Sequence, residues 1–127
     1  MRTAVLGAAG QLGRDLVPLL AGEVTALSRA EIDLEKPDTI AAYFAANRPD
    51  VLANCAAYNF VDKAEAEPEA AFRVNAWGVR ALAQGCRDAG VKLVHVSSDY
   101  VFGLDAARDR PFAEDDLVCG LLRDLGS

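Results

Sequence analysis

The sequence predicts an α/β domain in which a parallel sheet carries helices on both faces. Short runs of β-branched and aliphatic residues alternate with longer segments whose apolar residues recur at helical spacing, as strand–helix–strand units do. A glycine-rich turn at residues 7–13 joins the first strand to the first helix. With 127 residues, 52% of them hydrophobic, the chain is expected to form a single domain over residues 1–127.

Five strands are predicted, each bounded by turn residues. Thr3–Leu6 is the first, and it leads directly into the glycine-rich turn. The remaining four are, in chain order, Val24–Leu27, a very short Ile32–Leu34, Val51–Cys55 and Val91–Ser97. The expected architecture is therefore a doubly wound parallel sheet that stops after its fifth strand.

Helices are predicted between these strands. Pro37 suits the first turn of a helix, and Gly90 is a typical C-terminal cap. The polar residues 103–116 indicate a loop. The predicted helices cover about residues 11–20, 37–47, 68–89 and 117–125.

Composition excludes several classes of partner. A net charge of −6 and a pI near 4.7 argue against binding to nucleic acid, which needs a basic surface. No apolar run approaches the roughly 18 residues of a membrane span, and the chain enters a strand at once, so neither a membrane segment nor a signal peptide is expected. The widely spaced Cys55, Cys86 and Cys119 indicate a reducing cytoplasm rather than disulfides or zinc.

The glycine-rich turn has the spacing of a dinucleotide pyrophosphate cradle. Gly7 permits a tight turn, Gly10 lets main-chain amides approach a phosphate, and Gly13 lets the helix pack close to the strand. The flanking strand and helix strengthen this reading over the alternative, a turn with a purely structural role. The predicted fold is therefore Rossmann-like, with a nicotinamide dinucleotide as ligand.

The choice of cofactor depends on Ser28 and Arg29, which follow the second strand. A carboxylate at this place often binds the ribose hydroxyls of NAD, whereas an arginine can pair with the 2′-phosphate of NADP. The alternative is an ordinary solvated Arg29. The sequence favours NADP and leaves NAD open.

Other polar residues are given structural interpretations. His95 lies between Val94 and Val96 and is predicted to be a hydrogen-bonded strand residue. The carboxylates that resemble a metal cluster are predicted to form a solvated loop and helix start, so no metal site is assigned. They are Asp62, Glu65, Glu67 and Glu69.

Four segments carry a family resemblance: Asn54-Cys-Ala-Ala-Tyr58, Val61-Asp-Lys-Ala-Glu65, Val74-Asn75-Ala76 and Val96-Ser-Ser-Asp-Tyr-Val-Phe102. In these segments the chain resembles dTDP-4-dehydrorhamnose reductases of the extended short-chain dehydrogenase/reductase superfamily. The similarity runs from Met1 to about Asp116. A non-catalytic relative, the regulatory subunit of methionine adenosyltransferase, shares the fold.

The resemblance implies roles for individual residues. Ser98 matches the hydroxyl residue that hydrogen-bonds the substrate ketone. The cofactor-binding positions are the pyrophosphate loop, Gly7, Gly10, Gln11, Leu12 and Gly13; the residues beside the adenine, Asp33 and Leu34; and the turn lining the cofactor, Ala56, Ala57 and Tyr58.

The sequence departs from the family where a tyrosine should donate a proton. The family pattern is Tyr-x-x-x-Lys, but Asn47, Asp62 and Leu104 stand four residues after the three tyrosines. In the nearest match, Cys119 replaces the tyrosine and Arg123 the lysine, and a thiol differs from a phenol in length and direction. Catalysis by this pair is not expected.

Two functions therefore remain. The first is the NADP-binding half of a reductase whose complete form reduces a dTDP-4-keto-6-deoxysugar, with the sugar nucleotide as a further ligand and the substrate domain absent. The second is a non-catalytic nucleotide-binding or regulatory interaction module. In either case an uncovered fifth strand leaves unpaired main-chain groups at the sheet edge, and self-association through this edge is expected.

Overall fold

A computed structural model describes residues 1–102 and 107–116. The chain divides into two compact units, the first covering Met1–His95 and the second beginning at Val96. The first unit holds the sheet and all the residues of the glycine-rich turn.

The sheet of the first unit is parallel, with strand order β2-β1-β3-β4. Each of the four strands is four or five residues long. They are β1 Arg2–Leu6, β2 Glu23–Leu27, β3 Val51–Asn54 and β4 Lys92–His95. This order confirms the predicted Rossmann-like doubly wound sheet, because the chain leaves β1 in one direction and returns past it to form β3.

The predicted strand at Ile32–Leu34 is wrong, and the sheet has four strands in the described part of the chain. Ile32 and Leu34 are both buried in the core, which produces the alternating pattern. The N–H of Asp33 between them donates to the Thr39 hydroxyl at 2.9 Å. The main chain of this segment is thus bound to the next helix instead of to a neighbouring strand.

The helices follow the predicted pattern with three differences. The first helix passes into a 3₁₀ turn, Val17–Leu19, because Pro18 has no N–H to donate. The short α3 was not predicted. The long helix contains a π-helical turn, Arg73–Gly78. The α-helices are α1 Gln11–Leu16, α2 Pro37–Ala46, α3 Val61–Ala66, α4 Pro68–Phe72 and α5 Val79–Ala89, and a further 3₁₀ turn covers Asp99–Phe102.

The hydrophobic core lies between one face of the sheet and the helices α2 and α5. Its residues include the sheet side chains Ala4, Leu6 and Leu52. Leu82 and Cys86 of α5 are buried against them, and burial raises the pKa of the Cys86 thiol to about 11. As predicted, α5 ends at Gly90, whose φ of +69° is left-handed.

In the second unit, the described residues form a small polar cluster around Asp116. Arg108 and Arg110 both pair with the Asp116 carboxylate, and the Arg108 guanidinium lies 3.9 Å from the centre of the Phe112 ring. Phe112 stacks on Phe102 with ring centres 4.7 Å apart. The hydrogen bond from Arg110, followed by the Ala113 amide, lowers the pKa of Asp116 to about 2. The helix predicted over residues 117–125 lies outside the described residues.

Within the described residues, the helices are too short or too polar to cross a membrane.

Candidate functional site

The glycine-rich turn is closed by its own main chain. Gly7 has φ +78°, a left-handed conformation that favours glycine. The N–H groups of Gly7 and Ala8 donate to the Leu27 carbonyl at 3.2 and 3.4 Å, and the Gly10 N–H donates to the Gly7 carbonyl at 3.0 Å. The turn is thereby tied to the end of β2.

Two of the glycines are required by close packing. A Cβ at Gly13 would lie 2.3 Å from the Gly7 carbonyl oxygen and 2.6 Å from the Ala8 Cα. A Cβ at Gly7 would lie 2.7 Å from the nitrogen of Ala56, in the turn after β3. The spacing that suggested a nucleotide cradle therefore also brings β1, α1 and β3 together.

The turn borders an open cavity of about 530 Å³. The first hydrogen bond of α1 runs from the Arg14 N–H to the Gly10 carbonyl, so helix geometry gives the amides of Gln11, Leu12 and Gly13 no acceptor within the helix. The cavity is lined by Gly7, Gly10, Gln11, Leu12, Asp15, Cys55, Ala56, Ala57 and Asn59. Of these three amides, those of Gln11 and Leu12 belong to residues that line the cavity, and main-chain donors of this kind bind a diphosphate.

A second cavity, of about 330 Å³, lies on the other side of Gly7. Gly7, Ala56 and Ala57 line both cavities, so the two adjoin at the ends of β1 and β3. The other residues of the second cavity come mainly from the segment after β2 and from the turn after β3. They are Leu6, Arg29, Ile32, Asp33, Leu34, Glu35, Tyr58, Phe60, Lys63 and Val74.

Two asparagines hold the turn after β3, and sequence reasoning did not identify either as a site residue. The fully buried Asn54 accepts a hydrogen bond from the Ala56 N–H at 3.1 Å. Asn75, in the π-helical turn, accepts from the Tyr58 N–H at 2.8 Å and donates to the Tyr58 carbonyl at 3.1 Å. Both asparagines lie in the segments that carry the family resemblance, which was the available signal.

Tyr58 lines the second cavity, and its hydroxyl is buried. Its hydroxyl oxygen is shielded from solvent and has no hydrogen-bond partner among the described residues. Its ring makes an edge contact with Phe60, with centres 5.8 Å apart. The two adjoining cavities fit an elongated molecule with a diphosphate in its middle.

The residues after β2 form two separate contacts. Glu31 accepts hydrogen bonds from the hydroxyl and the N–H of Ser28, both at 2.7 Å, and these bonds lower the pKa of Glu31. Arg29 donates to Glu35 at 2.7 Å and lies 3.5 Å from Asp33. Ser28 is not among the residues that line the second cavity, whereas Arg29 is.

Ser98, the residue predicted to be catalytic, belongs to the second unit, which begins at Val96. The nearest matches to the missing pair, Cys119 and Arg123, lie outside the described residues. His95 contacts Asn54, as expected of a hydrogen-bonded strand residue.

The carboxylates of α3 and α4 do not form a metal site in the described residues. Among residues 1–102 and 107–116, no three side chains of His, Cys, Asp or Glu are placed to hold a metal ion. Glu69 instead pairs with Arg73 one helical turn later.

Sequence comparison identifies relatives along almost the whole chain. A dTDP-4-dehydrorhamnose reductase of Streptomyces griseus is 45% identical over 117 residues, which is 90% of this chain and 38% of the relative. The chain thus spans about two-fifths of the length of that relative.

Solved structures agree with this relationship. A dTDP-4-dehydrorhamnose reductase from Clostridium acetobutylicum superimposes with a TM-score of 0.85 at 34% identity, over 94% of this chain and 43% of that one. The enzyme from Bacillus anthracis, solved in complex with NADP, gives a TM-score of 0.75 at 35% identity over 80% of this chain and 37% of that one. The family model described as the RmlD substrate binding domain matches residues 1–121, and the chain therefore belongs to this family.

Proposed function

We propose that this chain binds NADP at the glycine-rich turn and is the dinucleotide-binding portion of a dTDP-4-dehydrorhamnose reductase. The observation that carries the proposal is the pair of adjoining cavities, one bordered by the main-chain amides of Gln11 and Leu12 and the other lined by residues that follow β2 and β3. The NADP complex of the Bacillus anthracis relative supports the choice of cofactor.

The chain's own residues divide the binding between the two cavities. The amides of Gln11 and Leu12, which line the first cavity, hold the diphosphate. Asp33 and Leu34 lie beside the adenine in the second cavity, and Arg29, which also lines it, binds the 2′-phosphate. Ala56 and Ala57 line both cavities, and their small side chains leave room for the ligand to extend from one cavity into the other.

In a complete reductase, bound NADPH would supply a hydride to the substrate carbonyl. The chain's contribution to that chemistry is the hydroxyl of Ser98, proposed to hydrogen-bond the ketone of a dTDP-4-keto-6-deoxysugar. The sequence contains no Tyr-x-x-x-Lys pair to donate a proton. We therefore propose that this polypeptide binds the cofactor without reducing the sugar when it acts alone.

The absence of the Tyr-x-x-x-Lys pair also favours the alternative function, a regulatory nucleotide-binding module. Both functions include cofactor binding, and they differ in whether any form of the protein turns over substrate. The reductase assignment is preferred because the relatives at 45% and 34% identity are both reductases by name.

Titration of NADPH, followed by its fluorescence, tests the proposal. Saturable binding is expected, and NADPH oxidation in the presence of the keto sugar is expected to equal the rate without protein. Gly13→Val is the matched control, because its side chain would strike the main chain of the turn. Absence of saturable binding to the natural chain would overturn the proposed site, and turnover would overturn the proposed lack of a proton donor.

We further propose that the chain self-associates through β4. This strand lies at the edge of the sheet, and Val94 at its centre is 48% exposed. Val5 and Ala53, which alternation places on the same face of the sheet as Val94, are buried. A second copy presenting its own β4 edge would satisfy the main-chain groups and cover this valine.

A further inference from the structure

We propose that Glu35 sets the cofactor preference of this chain by competing with the nucleotide 2′-phosphate for Arg29. The inference rests on the proposed function and names a residue that determines specificity at the same site. The observation behind it is that Arg29 forms ion pairs with Glu35 and Asp33, and with no other residue in the described part of the chain.

The Arg29 guanidinium is already engaged in the structure. Its Nη2 donates to Glu35 Oε2 at 2.7 Å, a charge-assisted hydrogen bond of ideal length, and lies 3.5 Å from Asp33 Oδ2. All three residues line the cavity assigned to the adenosine. A 2′-phosphate would meet a cation whose charge is balanced by two carboxylates.

The two carboxylates are not equally mobile. The Asp33 side chain is only 13% exposed, and its Oδ1 accepts the Glu35 N–H at 3.0 Å. Its own N–H is bound by the Thr39 hydroxyl. Asp33 is therefore fixed by hydrogen bonds of its side chain and its main chain.

Of the two carboxylates, Glu35 is the one that can move away from Arg29. Its side chain is 33% exposed, against 13% for Asp33, and Arg29 is 75% exposed, so the pair with Glu35 breaks at a lower desolvation cost than the pair with Asp33. Both pairs use Nη2 of Arg29, so a bound 2′-phosphate either shares the Arg29 charge with Glu35 or displaces it, and in both cases Glu35 lies near a phosphate of the same sign. A 2′-hydroxyl meets no such repulsion. Glu35 thus lowers the affinity for NADP without lowering that for NAD.

Calorimetric titration with adenosine 2′,5′-bisphosphate and adenosine 5′-monophosphate isolates this effect, because the two probes differ only in the 2′-phosphate. Glu35→Gln is expected to increase the affinity for the bisphosphate about threefold or more while leaving that for the monophosphate unchanged. In an Arg29→Gln background, Glu35→Gln is expected to change the affinity for the bisphosphate much less, because the cation for which Glu35 and the phosphate compete has been removed. Higher salt should reduce the difference between the natural chain and Glu35→Gln.

Glu31→Gln is the matched control. It removes the same charge from the same segment, but its carboxylate binds Ser28 and does not pair with Arg29. If Glu31→Gln shifts the ratio of the two affinities as much as Glu35→Gln does, the effect is general electrostatics and the inference is wrong. An unchanged ratio in Glu35→Gln would also overturn it, while the proposed function would stand. Failure of both probes to bind any of the proteins would overturn the proposed function and the inference together.

Discussion

The side-chain amide of Asn54 joins two strands and a loop: its Nδ2 lies 3.2 Å from His95 Nδ1 on β4, and its Oδ1 accepts the Ala56 N–H at 3.1 Å. Asn54 is fully buried at the carboxyl end of β3. Ala56 lines both cavities, so this one side chain connects the packing of the sheet to the shape of the site.

Asn54→Ala is expected to destabilise the protein by about 1–3 kcal/mol, because the Ala56 N–H and the His95 ring each lose a buried partner. Urea denaturation followed by circular dichroism measures the change. Asn47→Ala is the control: Asn47 also donates from its amide, to the Tyr43 carbonyl, but it is exposed, and a loss below about 1 kcal/mol is expected. Equal losses at the two positions would contradict the role given to Asn54.

Gly13→Ala is expected to weaken both folding and cofactor binding. The added methyl group would overlap the Gly7 carbonyl and Ala8, which are main-chain atoms that cannot rotate away. We expect a loss of stability of about 1–3 kcal/mol, and weaker NADPH binding under conditions where the variant is folded.

Gly90→Ala is a suitable control for this substitution. Gly90 has φ +69° but nothing lies within 4 Å of its added Cβ, so the expected cost is the left-handed conformation alone, about 1 kcal/mol. NADPH affinity should be unchanged in Gly90→Ala. Normal binding by folded Gly13→Ala would show that the turn tolerates a side chain.

Asp116 is expected to titrate near pH 2 in the folded protein. Because its folded pKa lies below the ordinary value of 3.8, the stabilisation that it provides is present above about pH 3.8 and is lost as the pH falls towards 2. Carboxyl carbon shifts measured by NMR across this range report the titration directly. Arg110→Gln removes the largest cause of the shift, and should return the Asp116 pKa towards 3.8. A pKa near 3.8 in the natural protein would show that the arginine cluster does not persist in solution.

Val94→Lys is expected to weaken self-association. Lysine at an edge strand opposes pairing because its charge would be buried against a second copy. Light scattering over a range of protein concentrations should show a larger particle for the natural chain than for the variant. Leu19→Lys is the control, since Leu19 is 80% exposed on the 3₁₀ turn after α1 and away from the edge. A natural chain that stays monomeric at high concentration would contradict the proposal.

The glycine-rich turn could be predicted because its requirements are local. A positive φ at Gly7 and contact distances too short for a Cβ at Gly13 are restrictions on residue type, and they appear directly in the sequence. The strand Ile32–Leu34 was predicted wrongly for the opposite reason. Alternating buried residues are equally compatible with a turn whose main chain is bound to Thr39, and only the tertiary structure supplies that partner.

The sequence alone determined which residue types can form the parallel sheet, its glycine-rich turn and the helices α2 and α5, because hydrophobic periodicity and steric limits act between near neighbours. The tertiary structure decided the contacts between distant segments: the bond from Asn75 to Tyr58, the buried Tyr58 hydroxyl and the pairing of Arg29 with Glu35. These contacts depend on distances and burial that arise only once the chain has folded. The shape of the cavities and the ion pairs beside them therefore depend on the fold, whereas the glycine-rich turn is specified by the positions of three glycines in the sequence.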